Sequence, residues 1–204
     1  MKPLVILTLL LLSFTSTAEE VDQTYVNTPQ GWSMNVNLGL ASINSDLNSQ
    51  GLGDSASVFG LSFDQLNENK YLSIFAERVS FEDDYSFSQD VVITSGYGGT
   101  SNGTEKSEAS ALSIGGAYGF AWFVNENKSM LYAQGGVNLL LDATRGIPNC
   151  SDCYEEDLDV SGGLFGRVGA NIFIDNIILG VYSSLALSGD VESNFGIKLG
   201  FQFD

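Results

Sequence analysis

Few residues in this chain are equipped for chemistry, and histidine is not among them, because the chain has none. Activating a serine or a water by general base typically draws on an imidazole, so hydrolytic triads lose their usual base. What the chain does carry is a scatter of charges set into stretches of apolar and small residues. They are Asp64, Glu77 beside Arg78, Asp142, Asp159, Arg167 and Lys198. Burying any of them unpaired would be costly. Two readings fit such charges. One is a structural salt-bridge network across an interior. The other is a narrow ion path, or a gate made by rearranging the pairs. Arg167 and Lys198 are the expected cationic members and Glu77 the anionic partner, with Asp64 and Gln134 facing the same space. Glu77 and Arg78 are adjacent, so only one of them faces inward unless a bulge intervenes.

Cys150 and Cys153 enclose only Ser151 and Asp152. In an exported chain they favour a disulfide that stiffens a loop tip. A zinc site would need two further ligands, and no histidine can supply them. A redox role would need a helix N-terminus to acidify a thiol, and no helix is expected there. Glu82-Asp83-Asp84 and Glu155-Glu156-Asp157 form acidic clusters without regular calcium-loop spacing. They read as a solvated acidic rim, with cation bridging to lipid phosphates as the functional alternative. No cofactor or metal is expected.

The elements that must position these residues are strands. Asn194–Phe203 alternates Phe195, Ile197, Leu199, Phe201 and Phe203 with Gly196, Lys198, Gly200 and Gln202. That is a period of two, with one bulky apolar face and one small or polar face. A face of two glycines, a lysine and a glutamine cannot form a core, so the bulky face is expected to point out into lipid. The pattern recurs at Trp32–Ala41, Val58–Gln65, from Tyr71, at Leu112–Trp122, Met130–Asp142, Leu158–Ile174 and Ile177–Leu187. Eight strands are therefore expected. The connections alternate in length. Asn67–Lys70, its exact repeat Asn125–Lys128, and Asp175–Asn176 are short and share one rim. The loops near Ile43, Phe81, Ala143 and Ser188 share the other. Trp32, Tyr71, Trp122, Phe201 and Phe203 fall near the short-turn ends and read as an interfacial aromatic girdle.

The 204 residues suit one domain of ordinary size. Lys2, the apolar run Leu4–Leu12 and Ser16-Thr17-Ala18 before Glu19 predict a secretory signal peptide over 1–18. A flexible lead-in over 19–31 and a barrel over 32–204 follow. Losing Lys2 leaves seven cations against 25 anions, a net charge of −18. Such acidity argues against nucleic acid as a partner, since so few cations could neutralise the phosphates.

In its signal peptide, the alternation of Leu112–Trp122 and Asn194–Phe203, and the terminal Phe201-Gln202-Phe203, the chain resembles the small bacterial outer-membrane β-barrels of the OmpA-transmembrane, OmpX and opacity-protein type. The resemblance spans Trp32–Phe203 and is architectural. It implies an all-β fold: an eight-stranded, antiparallel, up-and-down transmembrane β-barrel with a side-chain-filled lumen. It implies a place in the Gram-negative cell outer membrane, with periplasmic termini. Lipid and lipopolysaccharide would surround the barrel. The barrel-assembly machinery would read the final aromatic, here followed by Asp204. A monomer is expected. Barrel enzymes of that membrane depend on a histidine, so a non-enzymatic role is implied, with function in the surface loops through adhesion, surface interaction or envelope integrity. A narrow pore or lipid-interacting barrel is the alternative. A secreted soluble barrel, apolar inside and binding a small hydrophobic ligand, is another.

Overall fold

The computed structural model describes residues 29–94, 100–148, 150 and 152–203. The signal peptide expected over 1–18, nearly all of the lead-in over 19–31, and Asp204 lie outside them. The strands are β1 (Gly31–Ile43), β2 (Leu52–Asn67), β3 (Lys70–Asp83), β4 (Ser88–Thr94), β5 (Thr100–Lys106), β6 (Glu108–Val124), β7 (Ser129–Gly146), β8 (Glu155–Asp157), β9 (Leu164–Ile174), β10 (Ile177–Ala186) and β11 (Val191–Phe203). A 3-10 turn at Ser45–Gln50 joins β1 to β2.

Eight of these strands close an antiparallel barrel in the order β1-β2-β3-β6-β7-β9-β10-β11. β11 returns to β1 with Phe203 opposite Trp32. Both barrel ends of the chain therefore meet at the short-turn rim. Following the cross-strand register once around from Trp32 leads back to β1 at Ser42, ten residues along. For eight strands that stagger sets a tilt of about 40° and a backbone radius of about 8 Å. A lumen so narrow is filled by the side chains that point into it.

Local sequence explains the tight turns. Glu68, the run Asn125-Glu126-Asn127, and Asp175 all take positive φ, between 52° and 65°. Asn and Asp tolerate that region best among residues with a side chain. At the opposite rim β4 and β5 form a separate hairpin inside the long connection that follows β3, while β8 extends the end of β7.

Every barrel strand turns large apolar residues outward, although β3 also turns Tyr71, Phe75, Val79 and Phe81 inward. Leu38, Phe59, Ile74, Phe120, Leu139, Ile172, Leu179 and Phe201 are all exposed, while Asn35, Asp64, Ser73, Asn171 and Lys198 are buried. This is the reverse of a soluble barrel. The expected strand over Leu158–Ile174 needs correction. Regular pairing starts only at Leu164, and Leu158 and Val160 are buried while Asp159 is exposed. Gly162 and Gly163 sit at the break, where a Cβ would collide with the backbone of Asn138 and of Ser188. Strand β7 also slips register against β6, between Ser110 and Leu112, where Asp142 takes a φ of 48°.

Candidate functional site

The lumen is built in layers. At the short-turn end Leu66, Tyr71, Ala121, Met130, Tyr132 and Tyr182 pack together. Above them Lys198 Nζ lies 2.6 Å from Asp64 Oδ2. That carboxylate oxygen also accepts from the Tyr71 hydroxyl at 2.7 Å and from Asn35 Nδ2 at 3.0 Å. Lys198 donates to the Tyr71 oxygen at 3.2 Å, and Gln134 donates to Ser73 at 3.0 Å. Glycines make room for these long side chains. A Cβ at Gly200 would overlap Asn35, and one at Gly196 would meet the Tyr182 ring.

The next layer holds Glu77 and Arg167, both buried. Asn37 Nδ2 donates to Glu77 at 3.2 Å. Arg167 sits among three rings, with its guanidinium carbon 4.9–5.1 Å from the centroids of Tyr182, Phe75 and Phe165. Such cation–π contact stabilises a desolvated guanidinium. Among the described residues no carboxylate lies within 4.0 Å of Arg167. Lys198 thus pairs with Asp64, not with Glu77. The cavity beside Glu77 and Arg167 measures only about 40 Å³.

The top of the lumen is apolar. Ala41, Ile43, Leu52, Val58, Val79, Phe81, Ala109 and Leu158 close it, with Leu47 and Val160 brought in from the loops. The arrangement is a plug: a paired ionic layer below and an apolar lid above.

The clasp over that lid is Arg145, whose side chain is 1% exposed. Its Nε donates to both oxygens of Asp83, at 2.9 and 3.0 Å. Nη1 reaches Glu156 at 2.7 Å and Nη2 the Gln50 carbonyl at 2.6 Å. The Tyr85 ring lies 5.8 Å from the guanidinium carbon. Burial opposes the charge of Arg145, but the bonds and charges of Asp83 and Glu156 outweigh it and hold the pKa above the ordinary arginine value. One cation therefore ties the turn after β1, the end of β3 and β8 to the end of β7. Gln50 adds a second tie, exchanging side-chain bonds of 3.0 and 2.8 Å with the Asp159 backbone.

Three sequence-predicted lumen charges lie elsewhere. Arg78 points outward and pairs with Glu108 at 3.1 Å, because its neighbour Glu77 holds the inward position of the pleat. Asp142 is exposed at the register slip of β7. Asp159 is exposed in the loop before β9. One girdle residue also moves. Tyr71 is 3% exposed and points inward, since it shares parity with Ser73 and Glu77. Trp32, Trp122, Phe201 and Phe203 point outward at the short-turn rim. Cys150 and Cys153 form a disulfide. The sequence reading missed Arg145, and a lone arginine between a strand and a loop gave it no signal.

A tilted, closed, eight-stranded barrel with an apolar exterior and a plugged polar interior is the architecture of a small transmembrane β-barrel. No protein-family profile matches the chain, and no curated protein matches it in sequence. Among solved structures it is similar to Neisserial surface protein A (NspA), with a TM-score of 0.51 and 11% identity over 85% of this chain and 97% of that one. It also aligns with the β-domain of the Bordetella autotransporter BrkA, at 10% identity over 86% of this chain and all of that one. That TM-score is 0.29, too loose a superposition to argue from. The likeness to NspA is one of fold.

Proposed function

We propose that this protein is a non-enzymatic, non-conducting barrel of the Gram-negative outer membrane that displays an acidic crown of surface loops. The observation that carries the reading is the inverted barrel: a continuous apolar belt outside and paired ions inside. On β11 the outward residues Phe195 to Phe203 cover about 20 Å along the barrel axis at the tilt given above. That approaches the apolar band of about 25 Å typical of outer-membrane barrels. Water would solvate such a belt poorly, whereas lipid would solvate it well.

The short-turn rim and both ends of the barrel then face the periplasm. Trp32, Trp122, Phe201 and Phe203 form the inner-leaflet girdle, and the assembly machinery engages the terminal aromatic. The barrel is a monomer surrounded by lipid and lipopolysaccharide. The long loops face outward, held by Arg145, and serve surface interaction. NspA carries "surface protein" in its name, which fits this reading.

The test is fractionation with unboiled and boiled gel migration, followed by planar-bilayer recording. The expected result is recovery in the outer membrane, a heat-dependent change in migration, and no conductance steps. A soluble protein without a heat shift would overturn the membrane reading, and discrete steps would overturn the plug.

A further inference from the structure

The outer wall of the barrel carries an open indentation between β2 and β7. It has a volume of about 550 Å³ and an almost wholly apolar lining. That lies within the range of ligand pockets, about 300–1,000 Å³. Its floor is Ala76 on β3 and Gly116 on β6, both outward-facing. Large residues wall it in: Leu61 on β2, Ile74 below Ala76 on β3, and Val137 and Leu139 on β7. The register explains the shape. Ala76 lies between Leu61 and Ile114 across the sheet, and Gly116 between Ile74 and Val137. Two small residues at diagonal positions therefore sink the floor while Ile74 and Ile114 on the other diagonal stand higher. The floor is open to the outside. A Cβ built at Gly116 meets nothing closer than the Ser73 carbonyl at 3.5 Å.

Two residues above Ala76 on the same outward face, about 5 Å nearer the long-loop rim, stands Arg78. It leans away from the groove, toward that rim, and its Nη2 donates to Glu108 at 3.1 Å and Ser110 at 3.4 Å. Both bonds use one nitrogen. A guanidinium carries further donors on Nε and Nη1 and never loses its charge. A cation here stands out, since the adjoining loops are acidic and would repel an anion.

We infer that this groove seats an acyl chain of an anionic outer-leaflet lipid, with the lipid phosphate at Arg78. The inference rests on the membrane reading above and names one lipid position on the wall. Charge complementarity selects the headgroup and the dry lining selects the chain. Within a bilayer no hydrophobic gain distinguishes wall from lipid, so the preference arises from dispersion contact along a fitted groove plus the charged contact at its mouth.

The experiment is native mass spectrometry of the folded barrel in detergent with added lipid A, compared with diacylglycerol, which has similar chains and no phosphate. Wild type should retain one lipid A. Gly116→Leu fills the floor and should lower retention of both lipids at least about threefold. Arg78→Gln should lower lipid A alone. Ala76→Leu fills the same groove from β3 if Gly116→Leu does not fold, as judged by unboiled gel migration. A wild-type barrel that folds and inserts but retains no lipid A overturns the inference and leaves the membrane reading intact. So does equal retention by the filled variants. A wild-type dimer that Gly116→Leu converts to monomer would overturn it in favour of a second copy of the chain.

Discussion

Replacing Lys198 by methionine keeps most of the volume of the side chain and removes its charge. In the native lumen Lys198 and Asp64 are 2% and 1% exposed, with 2.6 Å between their charged atoms. Without the lysine, Asp64 keeps its bonds from Tyr71 and Asn35. It then remains an ion in an enclosed space with no cation in contact. Breaking a buried pair in this way costs about 3–5 kcal/mol. Adding Asp64→Asn removes the stranded charge while keeping an acceptor for Tyr71 and Asn35, so the double variant should regain most of that loss. Urea unfolding of the barrel in vesicles, followed by the fluorescence of Trp32 and Trp122 and by unboiled migration, measures each step. A single variant costing less than about 1 kcal/mol, or a double variant no better than the single, would refute the reasoning.

Two further outcomes follow from the clasp and the packing. Arg145→Ala should leave the heat-modifiable barrel intact while external protease nicks the long loops about tenfold faster or more, since local opening and global unfolding are separate. Because the folded pKa of Arg145 is raised, its contribution is fully present below the ordinary arginine value and is lost only as pH climbs through the folded one. Loop protection should therefore hold steady from neutrality to about pH 11. Gly119→Val should abolish the folded gel band, because even a Cβ at Gly119 collides with the Ala133 carbonyl. Gly116→Ala, three residues away, should leave the band unchanged, which separates steric failure from a general intolerance of strand β6 to substitution.

The barrel was legible in the sequence wherever one face meets lipid and the other a narrow lumen, since that contrast forces strict alternation. Phe195–Phe203 on β11 and Leu112–Trp122 on β6 carry it without interruption. It fades where both faces meet water. The β4–β5 hairpin shows no clean period, and the stretch before Leu164 changes parity at Gly162 and Gly163. Residue type and a place beside a turn point Tyr71 to the girdle. Its parity with Ser73 and Glu77 was the better guide. Arg145 carries no such signal, because its partners Asp83 and Gln50 lie 62 and 95 residues away, at the end of β3 and in the turn after β1.

The choice of ion-pair partner shows where alternation stops being informative. Lys198 and Glu77 both face inward, and they share one cross-strand row through Asn37 and Gly60. Sequence pattern alone makes them natural partners. Yet in a barrel tilted by about 40°, a row perpendicular to the strands climbs about 3 Å with each strand crossed. Three strands on, Glu77 stands about 9 Å nearer the long-loop rim than Lys198. Asp64 lies four residues down β2 from Gly60, which more than cancels the climb of two strands and sets it about 4 Å below Lys198, within reach of that long side chain. Inward parity is therefore written in the sequence, but height in the lumen is set by the stagger of the closed sheet. That stagger is a property of all eight pairings together, and no single strand records it.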